Sequence, residues 1–173
     1  MDTRKNEKTT ALIIVVLLIG LSLFCSADWN SVGIYAGCHL HSRLLYSLFH
    51  VNILHALLNA WCLLSLIFIY DISIGRLLIS YGIAITIPID TLGCVISSMS
   101  VPTVGLSAVV FVLFGTISFE VQRKWYYQMW MSLYILVGFI FPNTNAWLHL
   151  YCYIAGLALA LLNKPIKMRS NNV

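Results

Sequence analysis

Long apolar runs separated by short polar breaks dominate the chain. Six can be delimited, at about 10–26, 46–69, 76–97, 105–122, 128–141 and 147–163. None shows the strict alternation of a half-buried strand. A lipid interior leaves no partner for unpaired backbone groups, so runs of this kind predict helices. The fifth and sixth are shorter than the ~20 residues a full crossing usually takes. The first follows Arg4, Lys5 and Lys8 and ends in Cys25-Ser26-Ala27, as a signal peptide would. Because further long apolar runs follow it, it is read as a retained first span. The expected fold is an all-α membrane protein, a bundle of six transmembrane helices in a single domain over 1–173.

Composition supports this reading. Of 173 residues, 60% are hydrophobic and 9% charged, which excludes an ordinary soluble domain and a disordered chain. The net charge of +4 does not indicate a nucleic-acid partner, because the basic residues cluster at the ends of the apolar runs. Their distribution sets an orientation instead. With the N-terminus in the cytoplasm, Arg4, Lys5, Lys8, Arg76, Arg123, Lys124, Lys164, Lys167 and Arg169 fall inside and only Arg43 outside. That is the positive-inside pattern, and it places both termini in the cytoplasm. The longest loop, about 27–45, is then external and carries Trp29 and Tyr35, residues suited to the interface. Cys25, Cys38, Cys62, Cys94 and Cys152 show no CxxC pairing, so neither a disulfide framework nor a metal site is indicated.

Against this background a few polar residues inside the apolar runs carry the chemistry. His50, His55 and Asn59 lie in the second run, Ser107 opens the fourth within Gly105-Leu106-Ser107-Ala108, and His149 opens the sixth. Such groups are costly in hydrocarbon and are read as functional by default. Counting ~1.5 Å of rise per residue from the cytoplasmic ends puts Ser107 roughly 24 Å up, His149 roughly 22 Å and His55 roughly 24 Å. Three helices thus bring a polar residue to one plane nearer the outer face. Asn59 follows His55 by one turn on the same face. His50 is turned roughly 140° from His55 and is expected to brace the outer loop. On the sixth run His149, Cys152, Gly156 and Ala160 form one face of small residues, which lets another helix come close. Gly105, Ala108 and Gly115 are the matching small positions on the fourth. That approach would bring the Ser107 hydroxyl within reach of the His149 ring, as a nucleophile and its base require.

The segment His50-Val-Asn-Ile-Leu-His55-Ala-Leu-Leu-Asn59, the Gly105-x-Ser107-Ala108 turn, and a histidine followed by small residues on the last span resemble the rhomboid intramembrane serine proteases. The resemblance covers about 46–163 and implies a six-transmembrane-helix rhomboid-like bundle. It makes Ser107 the nucleophile and His149 the general base, with no third acid. His55, Asn59 and the Ser107 backbone N–H become the oxyanion hole, with His50, Gly105 and Phe111 in support. Arg43 matches the arginine that precedes the histidine motif. The implied partners are transmembrane protein substrates within the lipid bilayer, cut near their outer ends and admitted laterally past the second and fifth spans. The implied location is the inner membrane if the source is bacterial. No cofactor and no metal is implied, and the sequence assigns no oligomeric state.

Two departures from the family pattern bear on activity. The last motif usually reads His-x-x-Gly-x-x-x-Gly. Anchoring it on Ile154-Ala155-Gly156-Leu157 puts Tyr153 at the histidine and makes the chain an inactive rhomboid-like protein that binds membrane helices. Anchoring it on His149 puts Cys152 and Gly156 at the glycines. Tyr153 lies only ~16 Å up, well below Ser107, and His149 is level with it, so His149 is the expected base. Phe111 stands where relatives often have tyrosine; its ring can still stack on an imidazole. Asp90, near Pro88, is expected to make a structural hydrogen bond rather than complete a triad. A small transporter is a further class, but paired broken helices are missing. His39 and His41 read as solvated loop residues, and Trp125, Tyr126, Tyr127 and Trp130 as an inner aromatic belt.

Overall fold

The computed structural model describes residues 3–141 and 144–170, with side chains for 5–141 and 144–162. The side chains of Arg4, Lys164, Lys167 and Arg169, used above for orientation, lie outside that set. Among the described residues no β-strand forms, and six helices reach ten residues or more. They are α1 (Thr3–Phe24), α2 (Ile53–Tyr70), α3 (Ile74–Ile85), α4 (Ser107–Thr116), α5 (Lys124–Gly138) and α6 (Ala146–Ser170).

Each of the six apolar runs overlaps one of these helices; α1, α5 and α6 extend beyond their runs, and the other three helices are shorter than theirs. Helix α2 begins at Ile53 rather than near 46. Asn52 is extended there and its side chain accepts the His55 amide at 2.9 Å, an N-cap that starts the helix. The preceding Tyr46–Leu48 is a single 3-10 turn. Helix α3 is capped by Ser73, whose hydroxyl accepts the Arg76 amide at 3.2 Å. It stops at Ile85 although the apolar run continues to 97. Pro88 supplies no N–H and disfavours helical backbone at the residue before it. The chain continues through short turns at Ile89–Gly93 and Ser97–Ser100. Helix α4 ends at Thr116, and 117–123 are turns.

Among the described residues two helical segments, Lys5–Phe24 and Ile53–Tyr70, are long and apolar enough to cross a membrane, each with mean hydropathy 2.0. Ile74–Ile85, Ser107–Thr116 and Ala146–Leu162 are apolar but shorter. Much of the apolar surface points outward, including Val16, Leu17 and Phe24 on α1 and Leu54, Leu58, Trp61 and Ile69 on α2. In water such a surface would be a liability; lipid is the solvent it suits.

The core is built around α4. Its residues are apolar all round, and Ala108–Leu113, Gly115 and Thr116 are buried, as expected of a helix enclosed on every side. Its main neighbour is α6, followed by α3 and α2, while α1 packs on α2. Helices α4 and α6 meet backbone to backbone. A Cβ on Gly156 would collide with the Val112 carbonyl and lie 3.0 Å from Gly115 Cα; one on Gly115 would collide with the Tyr153 carbonyl and the Leu157 amide. The close approach expected from the small residues is therefore made at this glycine pair. Because the obstructing atoms are backbone, relief requires the helices to separate. Gly156→Ala is expected to destabilise the fold by about 1–3 kcal/mol, read as an earlier unfolding midpoint in detergent.

Outside the helices, the 27–45 loop is tied to the segment that leads into α4. Ile34 and Thr103 form an antiparallel bridge, with N–H···O distances of 2.9 and 3.1 Å. Ser42 donates to the Ser31 carbonyl at 2.7 Å, and Tyr81 on α3 donates to the Leu44 carbonyl at 2.7 Å. Arg43 pairs with Asp90 at 2.5 Å and donates to the Ile87 carbonyl, while the Gly37 amide donates to Asp90 at 2.7 Å. Asp90 thus ties its own segment to the 27–45 loop, engaged by Gly37 and Arg43.

Candidate active site

The site begins with the turn that delivers Ser107. Gly105 has φ +132°, a backbone conformation that L side chains rarely adopt. A Cβ there would also lie 2.8 Å from His55 Cε1 and 3.1 Å from its Nε2. Glycine therefore permits both the turn and the close seat of the His55 ring beside it. The Gly105 amide donates to the Tyr46 carbonyl at 2.9 Å, and the next amide, of Leu106, donates to His50 Nε2 at 3.2 Å. His50 is buried and meets the His55 ring edge-on, with centroids 5.0 Å apart. The loop it braces is therefore the one entering α4. Tyr46 is itself fixed, its hydroxyl donating to the Ala84 carbonyl at 3.0 Å.

Ser107 is the first residue of α4. The amides of a helix's first turn have no carbonyl of their own helix to bond, and they carry the positive end of its dipole. A side chain at this position thus sits beside a ready donor for a developing anion.

His149 is set by the start of α6. Asn145 precedes the helix, and its Oδ1 accepts the Leu148 amide at 3.2 Å. Its Nδ2 donates to Thr103 Oγ1 at 3.0 Å and to the Ser98 carbonyl at 3.3 Å. One side chain caps α6 and fastens it to the segment leading into Gly105. His149 Nε2 lies 2.9 Å from Ser107 Oγ, and both residues are half-buried. The face of the imidazole is covered by Phe111, with ring centroids 4.2 Å apart and planes within 11°.

Asn59 is buried on α2, one turn after His55, and its Nδ2 donates to the His55 carbonyl at 3.0 Å. That uses one of two amide hydrogens. Tyr153 faces elsewhere. Its hydroxyl is 2.6 Å from Gln128 Oε1 and 3.2 Å from Ser118 Oγ, joining α6 to α5 and to the turn after α4.

The structure thus brings Ser107, His149 and Phe111 into direct contact, and His50, His55 and Gly105 into a second contact group on the same turn. Tyr127 departs from the expected aromatic belt: it turns inward and donates to the Phe114 carbonyl at 2.7 Å. Trp125, Tyr126 and Trp130 are exposed. His39 and His41 are exposed in the 27–45 loop and stack on each other, with ring centroids 5.5 Å apart. Asn145 and Tyr134, the latter stacked on Phe111 at 5.5 Å, were not anticipated. Asn145 had a signal, an Asn immediately before an apolar run; Tyr134 had none.

The arrangement presents a hydroxyl, a ring nitrogen able to take its proton, and donors at a helix N-terminus. Those are the parts of nucleophilic acyl transfer. A family model described as the rhomboid domain matches residues 37–165, more than half of the chain and inclusive of Arg43, His50, His55, Asn59, Ser107 and His149. No curated protein matches the chain.

Proposed function

The chain belongs to the rhomboid family and is thus an integral membrane protein, and on that premise we propose that it is an intramembrane serine endopeptidase acting through a Ser107–His149 dyad. The observation that carries the reading is the 2.9 Å contact between His149 Nε2 and Ser107 Oγ. In the competent state Nε2 is unprotonated and the ring proton sits on Nδ1. Ser107 Oγ attacks the scissile carbonyl carbon as Nε2 takes its proton. The tetrahedral adduct collapses with loss of the amine, which receives that proton from His149. Water then hydrolyses the acyl-enzyme by the same exchange. Activity falls as the imidazole protonates, since only the neutral ring accepts.

In this reading the Ser107 amide, Asn59 and His55 stabilise the oxyanion. The six segments built on α1–α6 cross the membrane, the shorter helices together with their flanking turns, within one domain over 1–173, with both termini on the cytoplasmic face, and transmembrane substrates are cut near their outer ends. The Asn59 role makes a quantitative expectation. Its free amide hydrogen acts on charge that develops in the transition state, so Asn59→Ala is expected to lower kcat by ~10²–10³ with little change in KM. A raised KM at unchanged kcat would reassign Asn59 to helix packing or substrate docking.

The direct test is labelling of purified, folded protein with a serine-directed fluorophosphonate, with and without Ser107→Ala. Labelling that requires Ser107 supports the protease. A folded chain that takes no label supports an inactive rhomboid that binds membrane helices.

A further inference from the structure

Helix α5 is the most lightly seated of the six. Only Met131 and Ile135 on it are buried, whereas Trp125, Met129, Trp130, Leu133, Tyr134 and Leu136 are exposed. Its polar ties lie near its start, where Tyr127 donates to the Phe114 carbonyl and Gln128 Oε1 accepts from the Tyr153 hydroxyl. Further along, Tyr134 lays its ring on Phe111, with planes within 8°. Phe111 in turn lies on the His149 imidazole, with planes within 11°. Three near-parallel rings, one each from α5, α4 and α6, therefore connect the lightly held helix to the proposed base.

We propose that Tyr134 is a positioning residue: its ring keeps Phe111 against the imidazole, so the dyad is ordered while this part of α5 is seated. The inference rests on the roles proposed above for Ser107 and His149. Its physical basis is the restricted freedom of stacked rings. An aromatic pair favours an offset parallel geometry, and Phe111, buried in the core, transmits that geometry to the histidine. A helix that merely obstructed the site would behave in the opposite way. Trimming Tyr134 would then widen access and speed reactions at Ser107, whereas a positioning ring makes its removal slow them.

The experiment measures the second-order rate at which a small fluorophosphonate labels Ser107 in the full-length protein in detergent, for wild type, Tyr134→Phe, Tyr134→Leu and Tyr134→Ala. Unfolding midpoints are recorded for each. Tyr134→Ala is expected to label roughly fivefold more slowly, the scale of one aromatic pair. Tyr134→Phe is expected to match wild type because the ring survives. Tyr134→Leu, which keeps bulk without a flat face, is expected to remain slow and so decides the matter even if Tyr134→Ala melts early. With a peptide substrate the loss should appear in kcat and leave KM unchanged. Equal or faster labelling of Tyr134→Ala or Tyr134→Leu overturns the inference while leaving the protease reading intact. Absence of labelling in wild type overturns the protease reading and this inference with it.

Discussion

Ser107→Ala is expected to abolish cleavage of a model transmembrane substrate and to leave the fold intact. The substitution removes one oxygen. That oxygen's partner is His149 Nε2 at 2.9 Å, and a single hydrogen bond of this kind has a net worth of about 0.5–1.5 kcal/mol. Alanine is also favourable within a helix, and Ser107 is the first residue of α4. The stability change should therefore be small. The activity change should be large, because no acyl-enzyme can form without the nucleophile; in a serine hydrolase that loss is on the order of 10⁶ in kcat. The measurement pairs a cleavage assay in liposomes or detergent with an unfolding midpoint. Retained cleavage in the variant would end the serine-protease reading. Lost cleavage with a collapsed midpoint would instead assign Ser107 to packing.

The helical elements were legible because an apolar run must satisfy its backbone internally, and each of the six runs does overlap a helix. Their ends were less legible, because polar caps rather than the apolar pattern fix them. Asn52 and Ser73 start α2 and α3 by accepting first-turn amides. Those caps set starts that the apolar pattern had blurred by up to seven residues. The end of α3 was misjudged because hydropathy does not register what Pro88 does to the backbone around it. The close approach of α4 and α6 could be read from Gly115 and Gly156, since an interface that dense requires residues without side chains. The meeting of Ser107 and His149, 2.9 Å apart, was anticipated by counting helical rise, but the count for Ser107 assumed helix as far as Arg123, whereas α4 ends at Thr116. The sequence did not reveal which group braces which. His50 accepts from Leu106, 56 positions away, and Tyr134 meets Phe111 from a different helix. Periodicity describes one face of one helix. It carries no information on which faces of separate helices come together.

The histidine pattern of α6 leads to the second large expectation. Two registers of the motif place either His149 or Tyr153 at the base, and the two residues have different surroundings. His149 contacts Ser107 and is covered by Phe111. The Tyr153 hydroxyl is engaged by Gln128 and Ser118. His149→Ala is expected to remove cleavage and fluorophosphonate labelling together, each by at least ~10³-fold, because an unassisted serine hydroxyl is a poor nucleophile. Tyr153→Phe keeps the ring and deletes the hydroxyl. It leaves the half-buried Gln128 Oε1 without that donor, a loss of about 0.5–1.5 kcal/mol, so its unfolding midpoint should fall. Its labelling rate should stay within about threefold of wild type, since a shift of that size is under 1 kcal/mol in the barrier. The two variants thus separate reactivity from stability in opposite directions. A wild-type protein that is already inert, and that His149→Ala leaves unchanged, would transfer the base position to Tyr153 and make the chain a helix-binding rhomboid without peptidase activity.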